Sequence, residues 1–122
     1  MVLTSTFKAQ IRDDIKDEIE DIFTYGAVGS DNTASSESDT ALGSEVFRDT
    51  VDEIDKSASN SVTASLQIAT TEANGNTVRE IGWLDAASDG NLWVREVVNA
   101  VNKTSDIQLY IDTTITITVE EV

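Results

Sequence analysis

Apolar and polar residues alternate along this 122-residue chain with two different periods, and the change of period divides it. Near the start, Phe7, Ile11, Ile15, Ile19 and Ile22 recur at spacings of four, four, four and three. Such spacings line one face of a helix, with Asp13, Asp14, Asp17, Glu18 and Asp21 mostly off it. They predict an amphipathic helix over about residues 5–20. Ser5 or Thr6 is placed to cap it by accepting a hydrogen bond from a free amide of the first turn. The apolar stripe has two candidate covers, the chain's own sheet and a neighbouring subunit. A short strand is expected next, from Asp21 to Val28. After it, about residues 29–43 read as a surface loop, rich in Ser, Asp, Thr and Gly and without a period. The loop is long for an ordinary connection, so it is a surface feature or a segment ordered by a neighbour.

From Ser44 onward the period is two. "EVFRDTVDEID" extends with imperfect alternation. "SVTASLQIA" alternates throughout, with Val62, Ala64, Leu66 and Ile68 on one face and Ser61, Thr63, Ser65 and Gln67 on the other. "ANGN" carries the Asn and Gly of a tight hairpin turn. "TVREIGWLDA" and "NLWVREVVNAV" form a further pair around "SDGN". In the last segment Ile107, Leu109, Ile111, Ile115, Ile117 and Val119 share a face, with Thr113 the one polar exception. Read as one strand, Asp106 to Val119 would span about 45 Å at about 3.3 Å per residue. One apolar and one wet face mark antiparallel sheets, and several short strands joined by turns argue for a sandwich. The predicted fold is therefore mainly β: an antiparallel β-sandwich over about 21–122, with the helix at its edge, in one domain spanning 1–122.

Charge changes the picture. Asp and Glu number 23 against 8 Lys and Arg, for a formal net charge of −15. Such a surface repels phosphates and anionic lipid, so nucleic acid and membrane insertion are not expected as partners. The acids are spread over helix, loops and strands and do not form the block of like charge that marks an interaction tail. A dispersed carboxylate shell with only four Lys fits a protein adapted to high salt, where self-repulsion is screened within about 3 Å at 1 M. There is no Cys and no His, which removes disulfides, thiolate nucleophiles, the usual zinc ligands and imidazole acid–base chemistry. No apolar run approaches the roughly 18 residues of a membrane span, and "MVLTSTFKAQ" lacks the apolar core of a signal peptide.

Candidate chemistry is sparse. Asp85 and Asp89 around "AASDG" offer oxygens to Ca²⁺ but lack the alternating spacing of a calcium loop, and a plain Asp-Gly turn accounts for them better. Trp83 and Trp93 suit core or subunit-interface packing, with a sugar-stacking platform as the alternative. Gly82 relieves crowding where another backbone passes, or it belongs to a binding strand. Asn102-Lys103-Thr104 is a glycosylation sequon. Paired acids such as Asp13/Asp14 and Glu120/Glu121 lie on a helix face and at a chain end, away from any implied pocket. No catalytic, cofactor or metal residues are assigned, and an enzyme is not expected.

Several stretches resemble a family of small structural proteins of tailed phages, usually called tail-collar or tail-fibre-like. They are "SDTALGSEVFR", "EANGNTVREIGWLDA" and "NKTSDIQL" followed by a terminal strand. The matching positions include Leu42, Gly43, Glu45, Arg79, Glu80, Gly82, Asp85 and Lys103, and "FKAQIRDDI" is similar to the family's opening helix. The chain departs at Trp83, where Leu or Phe is more usual, and at "NAVNK", where prolines usually precede the Lys. The resemblance implies a virion structural protein, assembled in the host cytoplasm, at the tail tip or baseplate or in a capsid projection. It further implies contacts with other virion proteins and with a host surface layer or glycan. With the acidity, it points to a tailed virus of haloarchaea. The alternative is a free-standing ligand- or carbohydrate-binding β-sandwich module of a halophile. The apolar stripe and long last strand exceed what one small domain covers, so a ring-like homo-oligomer is expected, a trimer or a pentamer.

Overall fold

A computed structural model describes residues 1–121, opening with helix α1 (Ser5–Ile22). Its cap is Thr4, one residue earlier than expected: Thr4 Oγ1 accepts the Phe7 N–H at 3.2 Å. A cap must be extended to turn its oxygen back onto the helix, and Thr4 is (φ −72°, ψ 158°), whereas Ser5 and Thr6 already lie within the helix.

Seven strands follow in two antiparallel sheets, so the chain is a mainly β sandwich with one N-terminal helix. They are β1 (Tyr25–Gly29), β2 (Glu45–Thr50), β3 (Glu53–Asp55), β4 (Ser61–Ile68), β5 (Thr77–Leu84), β6 (Leu92–Asn102) and β7 (Leu109–Thr116). One sheet has the order β2-β1-β5-β6 and the other β3-β4-β7. The expected strand from Asp21 starts only at Tyr25, because the helix continues to Ile22 and Phe23 still donates its N–H to the Ile19 carbonyl.

Inward side chains of both sheets make the core. β4 supplies Val62, Ala64, Leu66 and Ile68, the face its alternation marks, and β5 supplies Val78, Ile81 and Trp83. Ile19 and Phe23 plug this core from the helix end, with the Phe23 ring parallel to Trp83 at 6.4 Å. The expected apolar face of β7 turns inward as well, through Leu109, Ile111 and Ile115, and Ile117 just beyond the strand completes it. Thr113 is the buried polar exception, and its hydroxyl finds no partner.

Four further features differ from the sequence reading. The last strand is eight residues long, since β4, its partner over Ser61–Ile68, is no longer than that. "EVFRDTVDEID" breaks at Val51 and Asp52 into β2 and β3, which lie in different sheets; there Val51 donates to the Thr24 carbonyl and Asp52 to the Ser65 carbonyl. "ANGN" closes no hairpin, because β4 and β5 belong to different sheets. Its positive φ values fall on Ala73 and Gly75, and Gly75 donates its N–H to the Lys103 carbonyl. The fourth is the docking of α1. It is rotated about its axis so that Lys16 is buried with Ile19, while Phe7 and Ile15 remain 48% and 38% exposed. The rotation has a polar cause: Lys16 Nζ donates to the Ala58 carbonyl at 2.5 Å and Arg12 Nε to the Ser59 carbonyl at 3.2 Å.

Candidate functional site

Two places concentrate unusual physics: a buried charge cluster beneath the long loop, and an apolar seam along one side of the sandwich.

The cluster forms on the outer face of the larger sheet. Past the register shift between Val78 and Glu80 the side chains of β5 alternate, so with Ile81 and Trp83 inward, Glu80, Gly82 and Leu84 point outward. They are nonetheless buried, because residues 30–44 fold across them. Leu42 caps a second apolar cluster with Ala27 and Leu84. A Cβ on Gly82 would lie 2.8 Å from Leu42 Cδ2 and 3.0 Å from Leu92 Cδ1, so the crowding there comes from the ends of two side chains, not from a passing backbone. Gly43 is needed for a similar reason, since a side chain there would collide with the Asp31 carboxylate.

Glu80 fixes this loop. It is fully buried, and both oxygens are saturated. Oε1 accepts the Gly43 N–H at 2.8 Å and Arg95 Nε at 2.9 Å; Oε2 accepts the N–H groups of Ser44 at 2.9 Å and Asp31 at 3.1 Å. Burial pushes its pKa up, but the hydrogen bonds from Arg95, Ser44, Gly43 and Asp31 outweigh that and hold the carboxyl below its ordinary range. The Arg95 side chain is itself 5% exposed and also reaches Asp39 Oδ2 at 3.2 Å and Asp31 Oδ2 at 3.7 Å. One guanidinium thus serves three carboxylates, with the loop's N–H groups supplying the remaining positive field. Arg79 adds a bond to the Ser30 carbonyl at 3.3 Å.

The motif residues separate into three groups. Leu42, Gly43, Arg79, Glu80 and Gly82 meet at this loop anchor. Glu45 and Asp85 border the 85–91 turn: Glu45 pairs with Arg48 at 2.6 Å, and Arg48 donates to the carbonyls of Ala86 and Asp89. Asp85 accepts the Asn91 side-chain amide at 3.0 Å and the Asn91 N–H at 2.8 Å, which with the Trp93 indole keep its carboxyl low. Asp89 and Gly90 take the positive φ of a tight turn, so this is the Asp-Gly turn, with Asp85 as its brace. Lys103 is remote from both groups. It is 1% exposed, and its Nζ donates to Asn74 Oδ1 at 2.7 Å and to the Thr104 carbonyl at 2.9 Å, which ties the 74–76 turn to the end of β6. Among the described residues no three acid side chains group as a metal site would require, and no helix is long and apolar enough to cross a membrane.

Arg95, Asp31 and Asp39 were not singled out from the sequence. A signal existed for Arg95: "RE" occurs in both halves of the β5–β6 hairpin, at Arg79-Glu80 and Arg95-Glu96. In the observed register Arg95 pairs with Gly82, two residues from Glu80 on the same face. The two tryptophans, by contrast, lie on opposite sides. Trp83 is a core residue and Trp93 is 44% exposed, beside Ser36, Glu37 and Asp39.

The seam is the second feature. β2 and β3, at one margin of the two sheets, are joined by a tight corner at Val51 and Asp52. At the other margin the edge strands β6 and β7 leave a groove of about 380 Å³. Val78, Ile81, Val98, Val101, Leu109 and Ile111 give it an apolar lining, and Glu96 puts a carboxylate at its rim, while the Asp112 carboxylate turns to the outer face of β7 and accepts the Ser65 hydroxyl. Glu96 pairs in register with Ile81, so it faces inward from an edge strand.

No protein-family model matches the chain, and no curated protein is significantly similar to it.

Proposed function

We propose that this chain is a structural subunit that assembles with copies of itself, in the setting its motifs resemble: the virion of a tailed virus. There it would serve as a small adaptor at the baseplate or tail tip, or as part of a capsid projection that contributes to host attachment. One observation carries the reading. The charged motif residues best placed to do chemistry, Glu80 and Lys103, are buried and bound to loops, while the seam and one flank of α1 leave apolar surface uncovered. Buried charge used in this way fixes loop shape, and uncovered apolar surface calls for a partner. The resemblance at Leu42, Gly43, Arg79, Glu80 and Gly82 supports the same view, since a loop anchor is what a rigid assembly unit needs. The dispersed acidity supports a haloarchaeal host.

Sedimentation of the purified chain at about 2 M salt, where the screening length falls below about 3 Å, tests this. A discrete symmetric oligomer, a trimer or a pentamer, is expected. A monomer that persists at high protein concentration overturns the proposal. A carbohydrate-binding module is the second reading, favoured by the exposed Trp93 beside Glu37 and Asp39. Quenching or shifting of Trp93 fluorescence by soluble glycans, lost in Trp93→Ala, would favour it.

A further inference from the structure

We propose that the first three turns of α1 of one copy seat in the β6–β7 seam of the next copy, a head-to-tail contact that rests on the assembly reading above. The two surfaces lie on separate parts of the molecule. α1 packs against β4, and no α1 residue lines the seam. Neither surface therefore covers the other within one chain.

Their chemistry is complementary. Phe7, Ile11 and Ile15 form an apolar ridge at four-residue spacing along one flank of α1, with Phe7 and Ile15 exposed and Ile11 half-buried between them, and the seam is an apolar groove. Residues 1–12 contain Lys8 and Arg12 and no acid, whereas every acid of α1 lies from Asp13 onward. Arg12 is engaged with the Ser59 carbonyl, but Lys8 makes no ion pair among the described residues. The seam presents Glu96. Lys8 against this carboxylate joins unlike charges in a molecule that otherwise repels its copies.

The seam's shape favours a helix over an added strand. An inward-facing charge on an edge strand blocks strand addition, and Glu96 is such a charge. Register shifts in the β5–β6 pairing, between Val78 and Glu80 and between Trp83 and Leu84, further break the regular edge that a strand would need. A helix has its own backbone bonds and requires only the apolar floor and a counter-charge. Because the two faces differ, the contact is heterologous, and repetition about an axis generates a ring.

The experiment uses the full chain in two variants. In one, Phe7→Ser with Ile15→Ser breaks the helix flank; in the other, Val101→Lys breaks the seam. All three positions are at least 37% exposed, and thermal melts check that both variants fold. Each variant alone should sediment as a monomer under conditions where the wild type assembles. Mixed in equal amounts they should form a one-to-one dimer, because one intact flank then meets one intact seam. The exposed charge pair gives an independent arm at about 0.3 M salt, where contact pairs are only partly screened. Lys8→Glu and Glu96→Lys should each weaken association about tenfold, and mixing the two proteins should restore the pairwise contact between unlike copies, though an odd-numbered ring cannot close from strictly alternating copies. If the wild type assembles while the mixed variants stay monomeric, or while each variant assembles unimpaired, the head-to-tail contact is wrong and the assembly reading stands. If the wild type is monomeric throughout, both fall.

Discussion

Replacing Glu80 with Gln changes one oxygen for an NH₂ group and almost no volume, yet it should be among the most damaging substitutions in the protein. Each Glu80 oxygen accepts two donors, Gly43 N–H and Arg95 Nε on one side, Ser44 N–H and Asp31 N–H on the other. Whichever way the amide turns, its NH₂ confronts two N–H groups. Two hydrogen bonds to a charged acceptor are then lost, each contributing about 1.5–3 kcal/mol. Relief from burying the carboxylate offsets part of that loss, while Arg95 loses its closest counter-charge. The net cost should be about 3–5 kcal/mol, against a total stability of about 5–15 kcal/mol for a protein of this kind. The loss should be local first. Amide hydrogens of residues 30–44 should exchange faster than those of β4, with chemical denaturation reporting the global part. Acid should act in the same direction. Because the folded pKa of Glu80 is depressed, its contribution is complete above the ordinary value of 4.5 and is lost as pH falls below it toward the folded pKa. The wild type should therefore lose stability more steeply than Glu80→Gln below about pH 4.5. A Glu80→Gln protein within about 0.5 kcal/mol of wild type, with unchanged loop exchange, would refute the loop-anchor account.

Three further outcomes are expected. Ile115→Ala removes a side chain packed on the core and should cost about 2 kcal/mol or more, whereas Thr114→Ala, which loses only an exposed bond to Thr63 Oγ1, should stay within about 0.5 kcal/mol by denaturant titration. Thr113→Val should stabilise by about 1 kcal/mol, since the buried hydroxyl has no partner and valine keeps its shape; destabilisation would mean that the hydroxyl is satisfied in solution. The melting midpoint should rise markedly between about 0.1 M and 3 M salt as self-repulsion is screened, and salt independence would remove the case for a high-salt protein.

The sandwich was legible where one face of a strand meets the core and the other meets water. β4 and β7 therefore announced themselves residue by residue, including the one wrong-coloured position, Thr113. What failed was information that no single segment carries. The composition of "ANGN" marks a change of direction but not the sheet in which the next strand pairs. Ile117 and Val119 continue the alternation of β7, but a strand lasts only as long as its partner, and β4 begins at Ser61. The stripe of α1 fixed its apolar direction; the carbonyls of Ala58 and Ser59, remote in sequence, set the actual rotation through Lys16 and Arg12. Glu80 was visible as a motif residue, but its partner Arg95 sat unremarked in an alternating strand. Only the hairpin register, which pairs Gly82 with Arg95, brings the two together.

The acidity and the apolar seam bear on each other. A formal charge of −15 on each copy opposes association at a range of about 10 Å in 0.1 M salt and about 3 Å in 1 M salt. At low salt, long-range repulsion therefore acts before the short-range apolar contact is reached; at high salt only charges in the contact itself matter. Under the proposed geometry the charges that meet across the groove are of opposite sign: Lys8 on one copy and Glu96 on the other. The first acids of α1, Asp13 and Asp14, share a turn with Ile15, but Asp13 is paired with Lys16 at 3.7 Å and Asp14 accepts the Gln10 amide at 2.9 Å. If copies associate as proposed, the ionic condition that relieves repulsion within a subunit would also let subunits join through short-range apolar contact and the Lys8–Glu96 pair.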